Sequence, residues 1–224
     1  SEWLKELGIA SAGEIYNAVD PDELLAASKR GERDFRARLG LEPNTPLIAF
    51  SGRLIPEKGV LQLADALKEI RGRAGNAALV MAGDGALRAE LVARKQPGLF
   101  ILGQLVYEDS LALISQADLF CLPTRSEGFS GAVLEAAALC TPIVTTPTGG
   151  SPELIPDDSY GLLIPDMSAE SISEACIRAL EDEGWRKEAA HRARQALVER
   201  FTWEKSCAAL MNALLDLKHD TEEK

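Results

Sequence analysis

Two glutamates eight positions apart, Glu127 and Glu135, stand in the run Glu127-Gly128-Phe129-Ser130-Gly131-Ala132-Val133-Leu134-Glu135-Ala136-Ala137-Ala138-Leu139. From Gly131 to Cys140 the only charged residue is Glu135, which predicts a helix buried nearly all round. A lone carboxylate in such a helix is costly unless something hydrogen-bonds it. Gly131 and Ala132 lie one turn earlier on roughly the same face and leave space beside Glu135 where a ligand fits. Eight helical residues span about 12 Å, a separation that suits an elongated ligand lying across the helix N-terminus. Its anionic middle would then meet the backbone N–H groups of Gly128 to Gly131. The plainer alternative is a solvated Glu127 and a Glu135 bound to a neighbouring helix, and the apolar character of the helix weighs against it.

A second constellation is Ser51-Gly52-Arg53-Leu54-Ile55-Pro56-Glu57-Lys58-Gly59, which puts Arg53 and Lys58 on one glycine-bounded loop ahead of a helix. Two cations beside a helix start form an anion site, although on spacing alone solvated surface charges explain them equally well. Gly83-Asp84-Gly85 permits close backbone approach but is not a GxGxxG fingerprint, and it reads as a tight strand-to-helix turn capped by Asp84. The segment Thr145 to Leu154, with Gly149-Gly150 and then a short helix, reads by itself as an ordinary flexible turn. His191 and His219 read as surface histidines. No His/Asp/Glu cluster has metal-ligand spacing and no Ser-His-Asp set converges, so no metal is expected. Cys121, Cys140, Cys176 and Cys207 are far apart in apolar stretches, and all four are expected to be buried, reduced thiols in a cytosolic protein.

Six short apolar runs are the elements that must position these residues: Leu47 to Phe50, Ala78 to Met81, Leu99 to Leu102, Asp118 to Leu122, Pro142 to Thr145 and Gly161 to Ile164. They are continuous rather than alternating, as befits strands buried on both faces. Helical patterns from Gly59 to Arg71, Gly85 to Lys95, Asp109 to Gln116 and Ser130 to Leu139 separate them. The alternation predicts an α/β fold, a doubly wound parallel sheet of about six strands with right-handed crossovers. In such sheets ligands bind beyond the carboxyl ends of the strands, where the loops described above fall. Gly13 to Asn17 reads as one further short strand, and the charged stretch from Pro21 to Leu39 as helical. From Ser168 onward only helices are predicted, over 168–183, 184–200 and 202–218. The expected organisation is a linker over 1–20, a Rossmann-like domain over 21–167 and C-terminal helices over 168–224 that pack on it.

At 224 residues and 46% hydrophobic content the chain can bury a sizeable core, which excludes disorder. With 24 Lys plus Arg against 35 Asp plus Glu, its net charge of −11 argues against nucleic-acid binding. No run approaches the ~18 apolar residues of a membrane span, and the amphipathic start from Ser1 to Leu7 has no basic signal-peptide region.

At this point the residues carry a resemblance. Ile15-Tyr16-Asn17-Ala18-Val19-Asp20, Gly52-Arg53-Leu54 with Glu57-Lys58-Gly59, Gly83-Asp84-Gly85, and Glu127 through Glu135 followed by Thr141-Pro142-Ile143-Val144 resemble the C-terminal half of retaining GT-B glycosyltransferases. More narrowly they are similar to the group of glycogen synthases, sucrose synthases and bacterial mannosyl- and glucosyltransferases. The resemblance runs from about Ile15 to Leu163, and Ala18 stands where the family usually has Gly.

The resemblance implies a Rossmann-like domain that binds a nucleoside-diphosphate sugar, UDP- or GDP-hexose, as substrate, with no metal or other cofactor. By the same analogy Arg53 and Lys58 hold the diphosphate and neutralise the leaving group. Glu127 contacts donor sugar hydroxyls, Glu135 contacts ribose hydroxyls, and the amides of Phe129 and Ser130 touch phosphate beside Gly128. Gly52 and Gly83 line the site, and Leu102-Gly103-Gln104 lies near the base. An N-terminal Rossmann domain would hold the acceptor, and this chain has no counterpart of it. The chain is therefore expected to be an excised domain or half of a split enzyme that binds donor without transferring sugar by itself. A cytoplasmic location follows from the analogy, with peripheral attachment at the inner membrane face left open. Two other readings stay open: a GT-B sugar-nucleotide epimerase, and a non-catalytic nucleotide-sugar-binding module.

Overall fold

The computed structural model describes residues 15–222, with side chains through Leu215. The expected helix at Ser1 to Leu7, with Gly13 and Glu14, lies outside the described residues. The chain opens with two helices, α1 (Pro21–Ser28) and α2 (Phe35–Arg38), and then enters the alternation the sequence predicts. It continues as β1 (Leu47–Ser51), a 3-10 turn (Pro56–Lys58), α3 (Val60–Arg73), β2 (Ala78–Ala82), α4 (Arg88–Ala93), β3 (Leu99–Gly103) and α5 (Tyr107–Gln116). Next come β4 (Leu119–Leu122), α6 (Gly131–Ala138), β5 (Ile143–Thr145), α7 (Ser151–Leu154) and β6 (Leu162–Leu163). Three helices end the described chain, α8 (Ala169–Glu181), α9 (Glu183–Arg200) and α10 (Trp203–Glu222).

The six strands form one sheet in the order β3-β2-β1-β4-β5-β6, every neighbouring pair parallel. The chain starts in the middle, works outward to β3, then returns to lay β4 on the other side of β1, where Ile48 pairs with Leu119. The crossovers reverse direction there, and a crevice opens between the loops that follow β1 and β4. The central strands are buried on both faces, Leu47 through Phe50 and Leu119 through Cys121 being fully inaccessible. A single hydrophobic core joins the sheet to its covering helices and runs on into Ile172 and Cys176 of α8, Leu197 of α9 and Phe201 beyond it. Helix α10 is different, because Trp203, Leu210, Met211 and Leu214 are exposed along it.

Three expectations need correcting. Ile15 to Asn17 is not a strand, and Val19 instead forms an isolated parallel bridge with Thr202. Side chains take up backbone groups here: Ser206 Oγ donates to the Tyr16 carbonyl at 3.0 Å, and Asn17 Oδ1 accepts from the Ala18 N–H at 3.0 Å. Asp84 does not cap a helix, since its carboxylate accepts from the next residue, the Gly85 N–H, at 2.7 Å, and α4 starts only at Arg88. Of the cysteines, Cys121 and Cys176 are buried with their sulfurs 3.8 Å apart, whereas Cys140 and Cys207 are exposed. Cys140 sits just past the end of α6 with φ 55°, where the chain turns toward solvent, and Cys207 lies on a helix the core does not cover.

Candidate functional site

The loop after β1 and the loop after β4 meet across the crevice, although the sequence separates them widely. The Arg125 N–H donates to the Glu57 carbonyl at 2.8 Å, and Thr124 Oγ1 donates to the same oxygen at 3.2 Å. These bonds bring Lys58 and Glu127 into a direct ion pair, with Lys58 only 9% exposed. The sequence reads Arg53 and Lys58 as one pair of cations, but the fold turns them apart. Lys58 faces Glu127, whereas Arg53 is exposed and, among the described residues, its guanidinium has no ion pair or hydrogen bond. Arg53 borders a cavity of 340 Å³ between the ends of β1, β2 and β3, together with Gly52, Gly83, Asp84 and Gln104. Leu102 and the buried Gly103 form the strand end just behind it, and the Gly103 carbonyl accepts from the Gly83 N–H at 2.7 Å.

Helix α6 starts at Gly131 behind Ser130, which makes no side-chain capping bond. Among the described residues, the N–H groups of Gly131, Ala132 and Val133 donate to no carbonyl. The N-terminal turn therefore presents unsatisfied donors and the positive end of the helix dipole to the crevice. A Cβ added at Gly128 or Gly131 would meet no atom within 4 Å, so space is open at this end of the helix. Along the helix, Val133, Leu134 and Ala136 to Ala138 are buried, and Glu135 is the one polar side chain among them. Its carboxylate accepts a hydrogen bond from the Tyr107 hydroxyl at 3.1 Å, at the first residue of α5. Glu135 is thus tied to a neighbouring helix, the plainer of the two sequence readings, and Glu127 is paired rather than solvated. Burial pushes the Glu135 carboxyl above the usual carboxylate range, and the Tyr107 hydrogen bond partly opposes that. Tyr107 is raised in turn, first by burial and then by the charge of Glu135, so its hydroxyl stays protonated and donating.

Sequence reasoning missed three features of the site. Gly149-Gly150, read as a flexible turn, is clamped: the Gly150 N–H donates to the Gly128 carbonyl at 2.8 Å, and a Cβ at Gly149 would overlap that same oxygen. Its place directly after β5, on the strand-end side, was the available signal. Phe129 is held edge-on by Tyr16, at 6.2 Å between ring centroids, and by Phe201, at 4.9 Å. Asn17 Nδ2 also donates to the Phe129 carbonyl at 3.4 Å. Nothing in sequence spacing announces that cluster, because its members come from the two ends of the domain. Tyr107 likewise carried no motif. Among the described residues, no group of three or more His, Cys, Asp or Glu could hold a metal ion, and no helix is long and apolar enough to cross a membrane.

The fold and site together define a doubly wound α/β domain with charged side chains and open helix donors gathered at its topological switch point. The glycosyl transferases group 1 family matches residues 31–196, and the chain belongs to it. A glycogen synthase of Mycobacterium tuberculosis is 32% identical over 216 residues, which cover 94% of this chain and 50% of that protein. A GDP-mannose-dependent monoacylated alpha-(1-6)-phosphatidylinositol monomannoside mannosyltransferase of Corynebacterium glutamicum is 29% identical over 211 residues, covering 89% of this chain and 55% of that one. Among solved structures, Anabaena HepE in complex with UDP-glucose superposes with a TM-score of 0.73 at 20% identity, over 92% of this chain and 57% of the other. The chain spans about half the length of the curated relatives it matches. It carries the fold of the GT-B glycosyltransferases and a transferase's family membership.

Proposed function

We propose that this domain binds a nucleoside-diphosphate hexose as the donor of a retaining glycosyl transfer, the acceptor being held by an N-terminal Rossmann domain of a longer or partnered protein. The observation that carries the reading is the meeting of the Lys58–Glu127 pair with the uncapped start of α6 across the β1/β4 crevice. A diphosphate laid there accepts from the amides around Phe129 and Ser130, and Lys58 and Arg53 offset its charge as the sugar–phosphate bond breaks. Glu127, released from Lys58, turns to the sugar hydroxyls, and Glu135 receives the ribose. Gly52, Gly83, Leu102 and Gly103 bound the nucleoside side, beside the 340 Å³ cavity. In retention the leaving phosphate oxygen takes the acceptor proton on the same face of the sugar, so no side-chain nucleophile is required. Two cations and a helix terminus supply the charge that a divalent metal supplies in other folds.

Support for a sugar nucleotide comes from the UDP-glucose held by HepE and from the GDP-mannose in the name of the corynebacterial relative, which leave uridine and guanosine as the two bases to distinguish. The test is calorimetric titration with UDP, GDP and ADP, each with and without a hexose, in EDTA. One diphosphate binds, and Lys58→Ala weakens it by ~1–3 kcal/mol, the scale of a lost charge-assisted hydrogen bond. Failure of all three to bind overturns the reading. Appreciable hexose transfer to an added acceptor by this chain alone would refute the assignment of the acceptor site to another domain.

A further inference from the structure

Glu135 is held in place by one residue that no sequence motif marks. Tyr107 opens α5 immediately after the β3 loop, whose Gln104 and Leu105 line the strand-end cavity, and the residue is 52% exposed. An exposed tyrosine at a helix start has no packing duty that demands its hydroxyl. That hydroxyl nevertheless donates to Glu135 Oε1 at 3.1 Å. No other described residue hydrogen-bonds the carboxylate, so Oε2 is left without a protein donor. A carboxylate fixed through one oxygen presents the other in a set direction, the geometry that a vicinal diol needs in order to donate both its protons.

Resting on the donor-site reading above, we propose that Tyr107 is a positioning residue for nucleoside recognition: its hydroxyl orients the Glu135 carboxylate toward the ribose 2′,3′-diol of the donor. The phosphate end of the ligand, at Lys58, Arg53 and the α6 start, does not depend on it. Tyr107 therefore sharpens the discrimination of a nucleoside diphosphate from bare pyrophosphate. The groups around the pair are few. Helix α1 contributes the charge of Glu23 toward Tyr107. Helix α9, packed on α6, contributes Arg194, whose guanidinium is bound to the Ala138 carbonyl at the far end of that helix.

Tyr107→Phe keeps the ring and the helix start and removes only the hydroxyl. Titrations of the whole 224-residue chain with UDP, GDP and inorganic pyrophosphate between pH 5 and pH 8 read its effect. Affinity for the nucleoside diphosphate falls about tenfold in Tyr107→Phe, as expected for one hydrogen bond to a charged group, and pyrophosphate affinity stays within about twofold. The acid limb of nucleotide binding also moves to higher pH, because Glu135 has lost the donor that stabilised its charged form. A merely structural role for Tyr107 would not move that limb. If Glu135→Gln weakens nucleotide binding while Tyr107→Phe leaves affinity and acid limb unchanged, the positioning role is wrong and the donor site stands. Equal losses for nucleotide and pyrophosphate in Tyr107→Phe also overturn it. If the unaltered chain binds neither UDP nor GDP, the donor-site reading falls and the role of Tyr107 falls with it.

Discussion

The helices at the periphery and the helices at the carboxyl ends of the strands begin in different ways. Asp20, Asp34, Ser168 and Asp182 each accept from first-turn N–H groups and so cap α1, α2, α8 and α9. None of α3 to α7, which start on the strand-end rim, has a side-chain capping bond. At α4 and α7 backbone carbonyls take up first-turn donors, the Arg88 N–H bonding Gly85 and the Glu153 N–H bonding Gly150, whereas the start of α6 leaves the Gly131, Ala132 and Val133 N–H groups to be satisfied from outside. The contrast shows where the molecule is finished by itself and where it is built to be finished by something else. The rim is nevertheless not loose, because its loops are locked backbone to backbone. A Cβ at Gly83 (φ 142°) would overlap the Gly52 carbonyl, and one at Gly149 (φ 54°) the Gly128 carbonyl.

The sharpest way to break that comparison is to unlock the rim. Gly83→Ala and Gly149→Ala each combine backbone strain with a collision against a carbonyl, and each is expected to cost upwards of about 3 kcal/mol in urea unfolding. Gly40→Ala, at φ 67° with nothing within 4 Å, carries the strain without the collision and costs about 1 kcal/mol. Equal costs at all three would show that the loops are not interlocked. Next in size is the contrast between the cations. Lys58→Ala leaves Glu127 without its partner and loses about 2 kcal/mol of stability as well as diphosphate affinity. Arg53→Ala removes an exposed, unpaired charge, so thermal unfolding stays within about 0.5 kcal/mol and only binding suffers.

The capping difference itself gives smaller effects. Asp182→Ala costs about 1 kcal/mol in chemical unfolding, while Ser130→Ala, at an uncapped start, costs a few tenths at most. Gly131→Ala raises stability by up to about 1 kcal/mol through helix propensity and weakens nucleotide binding by filling the open space. A nucleotide affinity unchanged in Gly131→Ala would place the ligand elsewhere. The smallest effect is the pH dependence of Glu135. Its folded carboxyl titrates above its unfolded value, so over the interval between the two the unfolded chain has shed a proton the folded chain keeps. Stability therefore falls as pH rises through that interval and is constant above it. Glu135→Gln removes this slope and raises the Tm of the unliganded domain by a few degrees at pH 7. A slope that survives the substitution must come from another group.

Continuous apolar runs such as Leu47 to Phe50 and Leu119 to Leu122 made the strands legible, because short runs of this kind between turn residues and helical patterns suit strands buried on both faces. Helix starts were legible at Asp20 and Ser168, but the cap at Asp34 lay inside a stretch read as one helix and Asp182 was placed inside the preceding helix. The sequence failed where local polar groups outcompeted a weak pattern, as at Asn17, and where exposure depended on a neighbour, as at Cys140 and Cys207. At the site, the residue types of Arg53, Lys58, Glu127 and Glu135 could be picked out from spacing, but their pairing could not. Lys58 turns to Glu127 because the strand order sets the β1 and β4 loops side by side, and Glu135 meets Tyr107 because α5, the crossover from β3 to β4, packs against α6.

By itself the sequence determined the alternation of strands and helices, the buried apolar helix with its single carboxylate, and the pool of groups able to meet an anion. These are local properties, set by hydrophobic period and residue chemistry over a few turns of chain. Only the tertiary structure decided which charges neutralise each other, which glycines are clamped and which stand open, and which tyrosine reaches Glu135. Those outcomes depend on distances between segments remote along the chain, fixed once β4 pairs with β1 and the crossovers reverse.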